Sequence, residues 1–248
     1  MKKFIELIEK DYRSILVLLS LIEARDAEGW TPLASAAFTY NEALCEFLLA
    51  NGCTLCLDTS QKEHLKSQLS CRIHDATRVG SKTALQLLLD MGADINERNS
   101  YGETALLEAV SNNNLSCVKI LIKRGADATI STTGGESILH RAAWRSIGSD
   151  MMKFLLEHVA ETQGLVNAKD TDGDTPLHDC SRNNHEASEH ARVLLKAGAS
   201  ITIKNNAAKT PYRCARDQKR KELTSYLWSL LSPEQKAQEE PLFFNLVR

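Results

Sequence analysis

One short template recurs six times along this chain, and that recurrence limits what it can fold into more than any other feature. Gly29-Trp30-Thr31-Pro32-Leu33, Gly102-Glu103-Thr104-Ala105-Leu106, Gly135-Glu136-Ser137-Ile138-Leu139-His140 and Gly173-Asp174-Thr175-Pro176-Leu177-His178 share it, with weaker copies at Lys209-Thr210-Pro211-Tyr212 and Cys71-Arg72-Ile73-His74. Measured on the Thr position, successive copies lie 40, 33, 33, 38 and 35 residues apart. A unit of that length holds one supersecondary element, too small to bury its own apolar face, so the units must stack on one another.

The residue types explain the template locally. A Thr or Ser before Pro or a small apolar residue is an N-cap followed by a residue suited to the first helical turn. Alanines follow on one face of this first helix (Ala36-Ala37, Ala109, Ala142-Ala143, Ala215), small enough for two helical layers to approach closely. A second apolar helix then ends at Gly in Glu46 to Gly52, Gln86 to Gly92, Lys119 to Gly125 and Val193 to Gly198, where a left-handed residue is needed to stop it. With 34 Leu and 26 Ala against 14 aromatic residues, the chain suits thin packed helices and argues against a β-sandwich or barrel. Eight of the twelve glycines fall in these two recurring slots, which leaves no phosphate loop to propose.

On these motifs the chain resembles the ankyrin-repeat family over residues 26–231. The resemblance implies an all-α ankyrin-repeat solenoid: about six helix-turn-helix units joined by short hairpin loops, with an irregular insertion near 58–66 and longer loops near 145–150 and 160–169. Residues 1–25 read as an N-terminal capping half-repeat, amphipathic through Phe4, Ile5, Ile8, Ile15, Leu18, Leu19 and Ile22, and residues 232–248 as a C-terminal tail.

Function follows from the same resemblance. It implies a non-enzymatic adaptor that binds a protein partner on a concave surface lined by hairpin tips and first-helix ends. Carried over slot by slot, partner-binding candidates are Trp30, Phe38, Arg78, Tyr101, Trp144, Arg145 and Arg182, with Ser70 and Val79 in the irregular second unit. Rigid amphipathic side chains and arginines dominate binding hot spots; the competing reading tucks the rings against neighbouring loops.

Other constellations carry a plain reading beside a chemical one. Cys53, Cys56, Cys71 and His74 follow C-x2-C-x14-C-x2-H, a spacing that can close around tetrahedral zinc. Cys53, Cys71 and His74 also sit in slots that the repeat fills for architectural reasons, so the expectation is no metal, with zinc as the alternative. His140 and His178 read as structural. His185 and His190 are five apart, which does not match a zinc-protease helix, and no nucleophile motif stands out, so neither an enzyme, a small-molecule substrate nor a cofactor is expected. Asn96 resembles the hairpin Asn that asparaginyl hydroxylases modify in ankyrin proteins; turn chemistry explains it equally.

Charge and topology complete the picture. The net charge is −2, yet residues 26–58 carry five acidic and no basic side chains, while 201–222 carry seven basic against two acidic. Solvation of a capping helix explains the basic end better than nucleic-acid binding, since no aromatic platform accompanies it. The apolar run Ser14 to Ile22 is shorter than the ~20 residues a bilayer requires and no signal-peptide cleavage site follows, so no membrane role is expected. Seven scattered cysteines suit a reducing, cytoplasmic compartment. A Glu-rich block before Pro241-Leu242-Phe243-Phe244 resembles the translocation signals of bacterial type IV effectors, which would place the chain in a host cytosol; a tail folded back over the last unit fits it as well.

Overall fold

Helices this short need their ends satisfied, and a computed structural model, which describes residues 24–26, 30–55, 59–144, 149–159, 162–182 and 187–239, shows how that is done. Thr31, Thr104 and Thr210 each accept the backbone N–H three residues on, at 3.3–3.4 Å, and each begins a seven-residue helix. Fourteen helices lie among the described residues. Six pairs form the repeats: α1 (Pro32–Phe38) with α2 (Glu42–Ala50), α3 (Thr59–Val79) with α4 (Lys82–Asp90), and α5 (Ala105–Ser111) with α6 (Leu115–Lys123). The series continues with α7 (Ile138–Trp144) and α8 (Ser149–His158), α10 (Pro176–Arg182) and α11 (Ala187–Lys196), then α12 (Pro211–Asp217) and α13 (Lys221–Leu230). Two short helices stand outside the pairs, α9 (Thr162–Leu165) and α14 (Pro233–Glu239).

First helices α3, α5, α7, α10 and α12 pack side by side as an inner row, and second helices form an outer row behind them. The sides in contact are Leu and Ala: Ala36, Ala37, Ala105, Ala109, Ala142, Ala143 and Ala215 are buried, and one apolar cluster runs from Leu33 to Leu231. Burial at about 25 cal/mol per Å² is what the stacking supplies and an isolated pair lacks. Among the described residues the one β pairing is an antiparallel bridge between Arg98 and Thr104.

Between units the chain turns through a tight hairpin whose key residue lies five positions before the Thr slot. Asn99, Asp170 and Asn205 each accept two backbone N–H bonds at 2.8–3.1 Å with one side-chain oxygen, and Thr132 Oγ1 accepts that of Glu136 at 3.2 Å. Neighbouring hairpins bond to each other: Thr171 N–H donates to Gly134 O at 3.0 Å and Asn206 N–H to Asp172 O at 2.9 Å.

Histidine ties this row to the helices. His140 Nδ1 accepts from the backbone N–H of Ser137 at 3.1 Å and lies 2.8 Å from its hydroxyl, so its proton sits on Nε2 and is donated to Asp174 O at 3.0 Å in the following hairpin. His178 repeats the arrangement with Thr175 and Lys209 O. Burial pushes both imidazoles below their ordinary pKa, which keeps them in the neutral form the geometry requires.

The second unit departs from the template. Instead of a hairpin before Cys71, one helix of 21 residues runs unbroken from Thr59 to Val79, so Cys71 lies mid-helix and not at an N-cap. Elsewhere a hairpin has a side-chain acceptor five residues before the Thr slot and a left-handed residue two before, Gly102, Gly135, Gly173 or Ala208; here those positions hold Lys66 and Leu69, and Leu69 is fully buried. With no turn residue to break it, the helix continues.

The last unit ends the stack differently. Arg213 occupies the slot of His140 and His178, and its Nε and the Thr210 hydroxyl both reach the buried carboxylate of Glu239 in α14, at 2.5 and 2.7 Å. Helix α14 thus meets the groups that a further hairpin would otherwise meet. Leu223, Leu227 and Leu231 are buried against the stack, whereas Leu230 is exposed.

Stacked hairpins leave no room at their apices. A Cβ on Gly173, at φ +74°, would lie 2.5 Å from Asn206 Oδ1 and 2.9 Å from Asn206 N, whereas one on Gly125, at φ +84°, would meet nothing within 4 Å. Gly125→Ala therefore costs only the left-handed strain of about 1–2 kcal/mol, and Gly173→Ala about 1–3 kcal/mol more for the clash. Urea unfolding of the two variants measures that difference.

Candidate functional site

Two slots of the inner row decide what its open face can do. Seven residues after the Thr position stand Phe38, Arg78, Ser111, Trp144, Arg182 and Asp217; four residues after it stand Ser35, Asp75, Glu108, Arg141, Asp179 and Cys214. The seventh slot closes each first helix, except in α3, which runs one residue further; the fourth lies one turn earlier, on the same face.

In the first three units these side chains hold one another. Phe38 and Trp30 pack edge to face with centroids 4.4 Å apart, and Arg72 lies over Phe38 at 5.4 Å. Both rings are half-buried, a correction to the expectation that they face solvent freely. Tyr40 Oη donates to Asp75 at 3.0 Å, Arg78 reaches Asp75 and Glu108 at 3.0 Å each, and Glu108 also holds His74 Nδ1 at 2.9 Å. Arg78 nonetheless keeps much of its side chain exposed, and Val79 beside it is exposed. Ser70 is buried and accepts the backbone N–H of Asp94 at 3.0 Å, so it does not line the face.

In units three to five the face opens. Tyr101, at a hairpin tip, is 76% exposed and Trp144, at the end of α7, 47%. Among the described residues the Trp144 indole meets no other ring and no cation, and its N–H has no acceptor. The arginines nearby are engaged elsewhere: Arg141 pairs with Glu103 and Glu136, and Arg182 with the fully buried Asp174, whose other oxygen accepts from Asn205 at 2.7 Å. Arg145 lies outside the described residues.

Asp179 in α10 stands apart. It is 5% exposed, and its carboxyl has neither a hydrogen bond nor an ion pair with any described residue. Burial, reinforced by the negative charge of Asp170, Asp174 and Glu136, pushes its pKa up to about 8, against the lowering pull of Arg182. Matching each residue's offset from the Thr slot across the repeats would have found Asp179, Glu108 and Asp75; motif searching overlooks them because the six copies hold five different residue types there.

The metal alternative gains no geometry. His74 has both ring nitrogens engaged, Nδ1 with Glu108 and Nε2 with Glu97 O at 3.2 Å; Cys53 is buried, Cys71 is exposed, and Cys56 lies outside the described residues. Among the described residues, the three ligand-type groups that converge are Asp170, Asp172 and Asp174. Asp170 is the hairpin acceptor and Asp174 carries Arg182, so a cation already sits there. Asn96 Oδ1 accepts the Asp127 N–H at 2.9 Å, a bond between adjacent units. On the outer row a groove of about 490 Å³ is lined by charges of both signs that pair locally, Lys153 with Glu189 at 3.6 Å and Arg192 over Tyr226 at 4.7 Å. No helix among the described residues is long and apolar enough to cross a membrane.

A family model for three consecutive ankyrin repeats matches residues 73–163, and a single-repeat model matches residues 172–206. Among curated proteins, the chain is 40% identical over 84 residues to an ADP-ribosylation factor GTPase-activating protein of Arabidopsis thaliana, a stretch covering 34% of this chain and 11% of that protein. It is 38% identical over 113 residues to a putative ankyrin repeat protein of fowlpox virus, covering 45% of this chain and 33% of the other. A putative ankyrin repeat protein of Rickettsia felis is 29% identical over 142 residues, covering 50% and 36%. The chain thus spans about a third or less of the first relatives and leaves the rest of each unmatched.

The buried acid gives a sign that can be measured. A carboxyl raised from its ordinary value to about 8 binds its proton more tightly when folded, so the stability it confers is complete below pH ~4 and is lost as pH rises towards 8. Asp179→Asn, which carries no charge to bury, is therefore expected to melt higher than the parent chain at pH ~8, with the gain shrinking towards pH ~5. Thermal melts of both proteins across that range test it; a difference independent of pH refutes it.

Proposed function

Because this chain belongs to the ankyrin-repeat family, a family of protein-interaction modules that are generally not enzymes, we propose that it is an adaptor gripping a partner protein on the inner face of units three to five. The observation that carries this reading is the exposure of two large aromatic side chains, Tyr101 and Trp144, on a frame whose arginines Arg78, Arg141 and Arg182 are held by ion pairs. An exposed ring on a rigid support offers wide contact at little ordering cost. Val79 and the free edge of Arg78 extend the surface on one side and Arg182 on the other. Trp30 and Phe38, packed on each other, serve as its wall.

Truncating two hot-spot rings typically costs about 2–4 kcal/mol each, roughly thirtyfold or more in affinity per ring. The double variant Tyr101→Ala, Trp144→Ala is expected to lose a partner captured from cell extract while its circular dichroism melt stays close to that of the parent. Unchanged capture refutes the reading.

A second reading, delivery as a bacterial effector, draws on the similarity to the Rickettsia felis protein. Helix α14 counts partly against a free tail, since Glu239 is buried against Arg213 and Thr210. In a type IV translocation assay, deleting residues 240–248 is expected to abolish delivery if they act as a signal; undiminished delivery removes this alternative.

A further inference from the structure

Three times on the inner face the seventh slot of one unit sets a ring or a guanidinium beside a carboxylate in the fourth slot of the next, twice with a cation engaged and once, among the described residues, without one. Between units two and three, Arg78 from the seventh slot reaches Glu108 in the fourth slot of the next unit at 3.0 Å. Between units one and two, the seventh slot holds the ring of Phe38 and the fourth holds Asp75; Arg72 covers the ring and Arg78 meets the carboxylate at 3.0 Å. Between units four and five those slots hold Trp144 and Asp179. Arg141 and Arg182, the arginines of these two helices among the described residues, pair with Glu103 and Glu136 and with Asp174. Among the described residues the ring therefore lacks a cation over its face, and the acid, 5% exposed, lacks a partner.

We propose that Trp144 and Asp179 form a seat for a cationic side chain of the partner, an arginine above all, which enters where Arg78 stands between units two and three. A guanidinium is planar, stacks on an indole face and donates in pairs to a carboxylate, so it satisfies both groups at once. An ammonium would reach the acid but stack less well. The surroundings favour a cation: Asp170, Asp174 and Glu136 act on Asp179, and the positive group that acts on it, Arg182, is already paired with Asp174, as Arg141 is with Glu136. The inference rests on the proposed inner-face reading and adds the chemistry of what is gripped.

Two measurements test it. In proton–nitrogen NMR spectra, N-acetyl-arginine amide is expected to move the indole N–H signal of Trp144, identified by its loss in Trp144→Phe, and to leave those of Trp30 and Trp228 in place. The neutral isostere N-acetyl-citrulline amide should not move it, and Asp179→Asn should weaken the arginine derivative by at least about tenfold. Equal shifts from both compounds, no shift from either, or indifference to Asp179→Asn would overturn the seat. The second measurement needs no ligand: Trp144→Arg should rebuild the Arg78 arrangement internally, melt higher than Trp144→Ala at neutral pH and no longer respond to the arginine derivative. If the two variants melt alike, the slots do not correspond and the proposal fails. Loss of the captured partner on removing Tyr101 and Trp144, together with a null result in these two measurements, would leave the inner-face reading standing and remove only the seat.

Discussion

The hydrogen bond from a buried imidazole in one unit to a backbone carbonyl in the next sets the geometry on which the rest of this structure depends. His140 and His178 take the N–H of their own Ser or Thr on one nitrogen and give the other to the following hairpin, so each fixes helix start and hairpin position together. Short helices cannot hold such alignment by themselves, since a single turn contributes little against the entropy of ordering it. Neutral imidazole suits this role because it offers one acceptor and one donor at opposite edges.

A frame fixed in this way lets the exposed positions vary without altering the stack. The fourth and seventh slots hold a carboxylate with arginine in one place, a carboxylate with tryptophan in another, and serine or cysteine elsewhere, on the same backbone course. Where charges pair within the chain, as in Arg78 with Glu108 or Arg141 with Glu136, the face is closed to new electrostatic contacts. Where they do not, the surface keeps an unmet preference, and binding can satisfy it without rearrangement of the frame.

The regular units were legible in the sequence because each signal is local. Thr31, Thr104 and Thr210 mark helix starts, and Gly102, Gly135 and Gly173 mark turns, wherever they occur. Unit two was misread where a missing signal mattered more than a present one: Cys71 and His74 matched the template, but Lys66 and Leu69 removed the turn before it. Site residues were harder still. Tyr101 and Trp144 stand out as large rings in exposed slots, and Trp30 with Phe38 would have looked the same, because whether two rings pack on each other depends on distances no pattern encodes. Asp179 shares its slot with Asp75 and Glu108, but what distinguishes it among the described residues is the lack of a partner that Glu108 possesses, which no pattern of residue types records.

Helix α14 bears on how copies of this protein behave towards one another. A row of stacked units has an open face at its end, with apolar side chains and hairpin groups ready to accept another unit, and nothing in the stacking itself distinguishes a unit of the same chain from one of a neighbouring molecule. By replacing the usual imidazole with Arg213 and supplying Glu239 to meet it, the chain puts a charged contact where joining would otherwise occur. A second unit stacking there would have to break that contact and leave both charges unpaired, so the cost of adding to the row at this face is electrostatic and not only one of shape.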